Sequence, residues 1–366
     1  MNKSWKLTII DRYIIRKFLG TFVFAIALVV VIAVVFDLSE HIDDFFEHDA
    51  PVKEIIFNFY LNFIPYFVIL YGSLITFIAV IYFTSKMAYD TEIIAILSSG
   101  TSFIRLLRPF FISAGIISVF SFTVSNFYLP SANRVRLQFY DTYIKPRPYS
   151  TEKDIHRQIL PGQYVYIQSY NTYTNVGSKF SMEKFEDGQL KSKIMSEYIR
   201  WDSIQHKWSV KNYYIRTIEG DTENISSGSS MDTTLNMLPE DFKKKNDVFY
   251  FETMTLGELN RYIAALKMQG ADNTNVYLVE RGKRLAFPFS TFILTFIGLT
   301  LSSRKVKGGI GMHIGAGLAL AFSYIFLLQF SSQFAISGSL SPMLAAWVPN
   351  ILYIGVCILL YRIAPK

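Results

Sequence analysis

Six stretches of this chain are long and apolar enough to cross a bilayer: Phe18–Phe36, Ile55–Phe83, Pro109–Leu129, Leu285–Leu301, Ile310–Phe330 and Ala345–Ile363. A hydrocarbon core of about 30 Å takes about 20 helical residues. In lipid a helix is one of the two structures that satisfy their own backbone. The second run is overlong and contains Pro65 and Gly72, which predicts a tilt or kink. The fourth is short and is expected to extend upstream towards Val276. Three runs, a long polar interval and three more runs set the framework for the rest of the sequence.

The charges orient that framework. Net charge is +7 over 366 residues, but the basic groups sit beside apolar runs or are scattered, and no basic face for nucleic acid is formed. Lys3, Lys6, Arg12, Arg16 and Lys17 precede the first run, and the loop after it, "DLSEHIDDFFEHDAPVKE", is acidic. Lys86, Arg105 and Arg108 flank the next turn, Arg304, Lys305 and Lys307 a later one, and Arg362 and Lys366 the end. Basic loops therefore alternate with non-basic ones, which predicts cytoplasmic termini and an extracytoplasmic polar insert. The first run is full-length and lacks a small-residue cleavage site, so it is expected to be retained. The single cysteine, Cys357, lies in an apolar run, so the insert must be stable without an intrachain disulfide.

The insert, about Pro130 to Gly270, reads as strands. "QYVYIQ" alternates, with Val165 and Ile167 on one face and Tyr164 and Tyr166 on the other. Asp187–Gly188 is a hairpin signal. Met195, Ile199 and Trp201 are expected to share a face, and "KWSVKNYYIRTI" supplies a further strand. Short strands punctuated by turns predict an antiparallel sandwich or jelly roll. From Leu256 the spacing turns helical, with Leu259, Ile263 and Leu266 on one side of a connector helix. The expected division is 1–129 for three spans, 130–255 for the β-domain, 256–275 for the connector and 276–366 for the last three spans.

Catalytic patterns are lacking. The carboxylates of Asp43–Asp49 superficially resemble a Mg²⁺-diphosphate site but stand alone, on the side away from nucleotide pools. No His-Glu-x-x-His helix, Gly-x-Ser-x-Gly elbow or Walker lysine is present. "GGIGMHIGAG" opens a span rather than following a strand. Gly311 and Gly315 stand four apart, a spacing that suits close packing of membrane helices. His313 in that run is expected at the interface. No metal and no cofactor are expected on this chain.

The segment "AYDTEIIAILSSGTS", Ala88 to Ser102, lies between the second and third runs. Thr91 is expected to cap a short helix over about 90–100, with Asp90 and Glu92 favoured by the helix dipole. Ile93, Ile96 and Leu97 form a stripe, Gly100 is placed to stop the helix, and Thr101 or Ser102 to cap the next. A headgroup-resting helix usually carries lysines on its polar face. This one is acidic at its start and neutral after it, which suits a socket in a soluble partner.

Three stretches carry a family resemblance: "IIDRYIIRKFLGTF", "DTEIIAILSSGTSFIRLL" and "LGELNRYIAALKMQGADNTNVYLVERGKRLAFPF". They resemble the LptF/LptG (YjgP/YjgQ) permeases of lipopolysaccharide export, with a lean towards LptG, and the 3+3 order of spans matches over nearly the whole chain. The resemblance implies a membrane α-helical fold of six transmembrane helices with an inserted periplasmic antiparallel β-jelly-roll domain, in the bacterial inner membrane. It implies a heterodimer with a paralogous permease, driven by a cytoplasmic ABC ATPase dimer that uses the ATP. Lipopolysaccharide would be passed to periplasmic bridge proteins with jelly-roll domains. It also implies that Glu92, Ile93, Ile96, Leu97 and Gly100 form the helix that contacts the ATPase, and that Gly311 and Gly315 pack at a lateral gate. Some family members carry a lysine near the outer end of the first span that contacts the lipid's phosphates. This sequence has Asp37 there and no basic residue, so Arg281, Lys283 and Arg284 are the substitute candidates, with interfacial anchoring as their other reading.

The energetics fit an apolar route. Each buried CH₂ holds a lipid in place by ~0.8 kcal/mol, so extracting a multi-chain glycolipid costs on the order of tens of kcal/mol unless another greasy surface receives it. Two other classes compete: a mechanotransmitting ABC subunit without lipid transport, and a membrane enzyme acting on lipid-linked glycans. Lipid crosslinking separates the first, and a paired-carboxylate or metal site facing the bilayer would mark the second.

Overall fold

The computed structural model describes residues 7–144, 151–171, 174–203, 205–220, 222–233, 235, 237, 239, 250–268, 274–304 and 309–363. Lys3, Lys6, Lys305, Lys307 and Lys366, used above to orient the chain, lie outside them. Two compact units emerge, a helical one formed by both ends of the chain and a β unit formed by the insert.

Among the described residues the helical unit contains six helices of spanning length: Ile9–Glu47, Val52–Tyr89, Phe103–Ile144, Thr274–Ser302, Ile310–Ile336 and Pro342–Arg362. They are spans 1 to 6 below. Span 4 extends upstream as expected. Span 2 runs unbroken through Pro65 and Gly72, and its irregularity is a π-turn at Ile55–Tyr60, one turn before the proline. The acidic "loop" after span 1 is a correction: the helix continues to Glu47. No glycine or proline interrupts it, and Asp37 pairs with His41 at 3.6 Å one turn on. The chain turns only at Asp49, in the left-handed region, followed by Pro51.

Among the described residues, two apolar clusters are the largest in the bundle. One joins spans 1, 2 and 3 through Ile14, Phe18, Phe83, Phe110 and Leu299 of span 4. The other joins spans 2, 4, 5 and 6 through Phe77, Ile81, Leu294, Tyr324 and Tyr353. Glycines permit the closest crossings. A Cβ at Gly298 would lie 2.9 Å from Val80, and one at Gly282 would lie 2.8 Å from Ala346. In span 5 the crowded glycine is Gly317, against Ile81, while Gly311 and Gly315 meet nothing within 4 Å in this chain. Polar side chains add direction where lipid offers no competing partner. Tyr324 donates to Asn350 Oδ1 at 2.9 Å, and Asn350 Nδ2 donates to the Ala286 carbonyl at 3.1 Å, tying spans 4, 5 and 6.

The β unit is an antiparallel meander of six strands in sequential order. They are β1 Thr151–Leu160, β2 Gln163–Asn171, β3 Val176–Glu186, β4 Gln189–Asp202, β5 Lys207–Glu219 and β6 Thr222–Thr233. Asp187 and Gly188 both have positive φ, as a two-residue type I′ hairpin requires. Val165 and Ile167 are buried with Ile155, Tyr170, Phe180, Ile199, Trp208 and Val210. Trp208 Nε1 donates to the Met237 carbonyl at 2.9 Å, so the indole is buried without losing its hydrogen bond.

A crease crosses all six strands. Asp154, Gln168, Lys179, Glu197, Asn212 and Ser229 are each skipped in the pairing register, and they lie opposite one another in one row. Asp154, Lys179 and Asn212, on alternate strands, have φ of 52°, 49° and 52°. Ser196 donates to the Tyr198 carbonyl at 2.8 Å and the Lys211 carbonyl at 2.6 Å, satisfying acceptors beside the row. Across the crease the buried positions shift by one: Ile167 and Tyr170, Phe180 and Gly177, and Ser196 and Ile199 are all three apart. This corrects the expectation for β4. Met195 lies before the crease and is exposed, whereas Ile199 beyond it is fully buried.

Lys179→Val is therefore expected to destabilise the β unit by about 1–3 kcal/mol, because a β-branched residue is strained at positive φ. Lys179→Gly should be neutral or stabilising. Urea titration of the solubilised chain, followed by the fluorescence of buried Trp208, checks the order.

Candidate functional site

The short segment between spans 2 and 3 folds as a helix, Glu92–Ser98. Thr91 occupies the N-cap position but does not cap. Its φ is 63°, and its hydroxyl donates to the Asp90 carbonyl at 2.7 Å instead of accepting from the first turn. Gly100, with φ of 84°, ends the helix as expected. Ser102 then caps span 3, its hydroxyl accepting from Arg105 N at 3.3 Å.

The apolar stripe faces inward. Ile93 is buried in the cluster with Ile14, Phe18, Met87 and Phe103, and Ile96 and Leu97 pack against the same cluster. Ile93 thus seats the helix on its own bundle, and Ile96 and Leu97 pack there while remaining half-buried. The exposed face consists of Thr91, Ile94, Ala95, Ser98 and Ser99. Seven residues give the helix two turns, with that outer face open.

Glu92 sits at the edge of the exposed face and is engaged within the chain. Tyr13 Oη donates to its two carboxylate oxygens at 3.0 and 2.9 Å, and Lys17 Nζ stands 3.6 Å away. Lys17 also lies over the Tyr13 ring, 4.6 Å from the centroid. Both partners come from span 1, one turn apart on one face.

A second tie runs from span 1 to the far side of the short helix. Thr8 and Asp11 form a reciprocal capping box at the start of span 1. Asp11 is 2% exposed and accepts two hydrogen bonds from Arg105, at 2.8 Å from Nη1 and 2.7 Å from Nη2. A bidentate, charge-assisted pair of this kind is both strong and directional. The first three turns of span 1 thus grip the short helix at its start, through Glu92, and the chain beyond its end, through Arg105. The Thr-x-x-Asp spacing announces the cap in the sequence, but the partner 94 residues away leaves no sequence signal.

At the other end of the bundle, where the chain departs for the insert, the candidate phosphate contacts divide. Arg284 is buried, with Nε donating to Glu280 at 2.9 Å and Nη1 to the Met254 carbonyl at 2.7 Å. Its donors are committed inside the protein, which removes it as a free phosphate ligand. Arg281 and Lys283 are half-buried on the same helix. Unforeseen neighbours are Arg136 and Glu252, paired at 3.4 Å, with Arg136 stacked 4.2 Å over the Tyr66 ring.

The family model for the lipopolysaccharide export system permease LptF/LptG matches residues 12–363. The chain belongs to the LptF/LptG family. The match covers both halves of the bundle, the short helix and the insert. No curated relative matches the chain. Membership in LptF/LptG makes this a multi-pass lipopolysaccharide export permease by family. Within that frame the helix following span 2 is braced on span 1 through Glu92, and the chain just beyond it through Arg105.

Proposed function

We propose that the chain is one permease subunit of an ABC exporter that extracts lipopolysaccharide from the bacterial inner membrane and passes it through its periplasmic β-domain to bridge proteins with related domains. A paralogous permease completes the bundle, and a separate cytoplasmic ATPase dimer hydrolyses ATP. The observation that carries this reading is the short helix, which exposes a small face while its stripe and its glutamate are tied to spans 1 and 3. A push on the exposed face has a path to span 1, whose outer surface presents Val23, Phe24, Val31, Val35 and Phe36. The open faces of Gly311 and Gly315 on span 5 suit a close approach by a second permease chain. Arg281 and Lys283 are the basic groups left to meet phosphate at the periplasmic mouth.

The orientation is tested by single cysteines in a Cys357→Ser background. Ser229→Cys should react with a membrane-impermeant maleimide in intact spheroplasts, and Ser99→Cys only after permeabilisation. Both native residues are exposed, and expression without the ATPase leaves the membrane as the barrier to each. The opposite labelling pattern would overturn the topology. Photocrosslinking of labelled lipopolysaccharide into the bundle distinguishes transport from mechanical signalling, since a signalling subunit would give no lipid adduct.

A further inference from the structure

The chain re-enters the bundle through the segment Glu252–Glu258, and three consecutive carbonyls of that segment are held by side chains of spans 3 and 4. Asn133 Nδ2 donates to the Glu252 carbonyl at 3.3 Å, Arg134 Nε to the Thr253 carbonyl at 3.0 Å and Arg284 Nη1 to the Met254 carbonyl at 2.7 Å. Thr255 and Glu258 then form a capping box for the connector helix Leu256–Met268. Arg134 Nη2 also donates to both carboxylate oxygens of Glu258, at 2.9 and 2.8 Å. So regular a capture of irregular backbone makes a strap, not a loop. Glu252, its side chain 17% exposed, faces charged and titratable groups from three spans: Arg136 of span 3, Tyr66 of span 2, and Glu280 and Arg284 of span 4.

We propose that this strap is a proton-responsive latch, seated on spans 3 and 4 while Glu252 holds its proton and loosened when the carboxylate ionises. The counter-charge at Glu252 is incomplete. Arg136 approaches only to 3.4 Å while also bonding Asn133 and stacking on Tyr66, and Arg284 is shared with Glu280 and Met254. Burial pushes the Glu252 carboxyl up from 4.5 to about 7; Arg136 and Arg284 oppose the rise, and Glu280 adds to it. An acid whose value is raised in the seated state favours that state at low pH, and the advantage is lost as pH rises through about 7. Between pH 6 and 8.5 the seated form should become about tenfold less favoured, most of the change falling below pH 7. The inference concerns the strap alone and does not depend on the cargo.

Hydrogen–deuterium exchange of the full-length chain in lipid nanodiscs reads the latch directly. After correction for intrinsic exchange, protection of the amides from Met254 to Leu256 should fall about tenfold from pH 6 to 8.5. Glu252→Gln keeps the shape without the charge and should hold protection high and flat across that range. A purely structural Glu252 would instead give a variant with protection lowered equally at every pH. Glu280→Gln removes the like charge and frees Arg284, so it should shift the fall to lower pH and shrink the change above pH 6. It also keeps the test open if Glu252→Gln fails to insert. A parent profile flat with pH, a Glu252→Gln profile that tracks the parent, or an unmoved midpoint in Glu280→Gln would each overturn the proposal.

Discussion

Arg105→Met should be among the most damaging single changes in the membrane domain, costing about 3 kcal/mol of stability, at the low end of the range for breaking a buried ion pair. The cost arises from Asp11, which is left charged and buried with its two strongest donors gone. Asp11→Asn should cost less. Arg105 is about one-third exposed and can turn towards water, whereas Asp11 cannot. Arg105→Lys should recover part of the loss, since an ammonium restores charge but not the two parallel bonds. A double-mutant cycle on thermal unfolding of the solubilised chain checks the ordering. Equal costs for Arg105→Met and Asp11→Asn would show that the pair's burial does not set its weight. Because this pair ties span 1 to the exit of the short helix, the mildest variant that still folds should also transport poorly for its level of ATP hydrolysis.

The second large effect is expected at Glu92, and the structure sharpens what it means. As an exposed intrachain pair with Lys17 and Tyr13, Glu92 would contribute only about 0–1 kcal/mol to folding. If it also meets a buried basic group of an ATPase, truncation should cost ~2–5 kcal/mol of binding, a fall in affinity of about thirtyfold or more. Glu92→Lys should be worse than Glu92→Ala, because it sets a third positive group beside Lys17 and the partner's charge. Tyr13→Phe separates the two roles. It removes the bonds that orient the carboxylate and leaves the charge, so it should weaken transport more than ATPase binding. Copurification of the ATPase with Glu92→Lys at the parental yield would remove Glu92 from the interface and leave it as an internal brace.

The spans were legible because their signal is local and additive: about 20 apolar residues are sufficient wherever the chain goes next. Turn chemistry marked Asp187–Gly188 and Gly100 on the same terms, where positive φ is observed. Assignments failed where one segment's meaning depended on another. The acidic stretch after Asp37 looks like a loop by polarity, yet nothing in it breaks a helix, and the helix persists to Glu47. Ile93, Ile96 and Leu97 were correctly grouped as one face, but periodicity cannot say whether that face looks outward to a partner or inward to Phe18 and Phe103. Arg284 had the right charge and place for a phosphate ligand, and only the fold reveals that a backbone carbonyl and Glu280 already occupy it.

The sequence by itself determined the six apolar spans, the presence of a β insert and the location of a short, glycine-terminated helix between spans 2 and 3. Hydrophobic length and turn residues act over a few positions and need no knowledge of distant partners. The tertiary structure alone decided the pairings at long range: Asp11 with Arg105, Glu92 with Tyr13 and Lys17, and the strap carbonyls with Asn133, Arg134 and Arg284. It also decided the crease, where alternation in each strand reads correctly on either side but slips by one position across the row. A single strand carries no mark of that slip, since the skipped residue becomes visible only when its neighbours skip theirs opposite it.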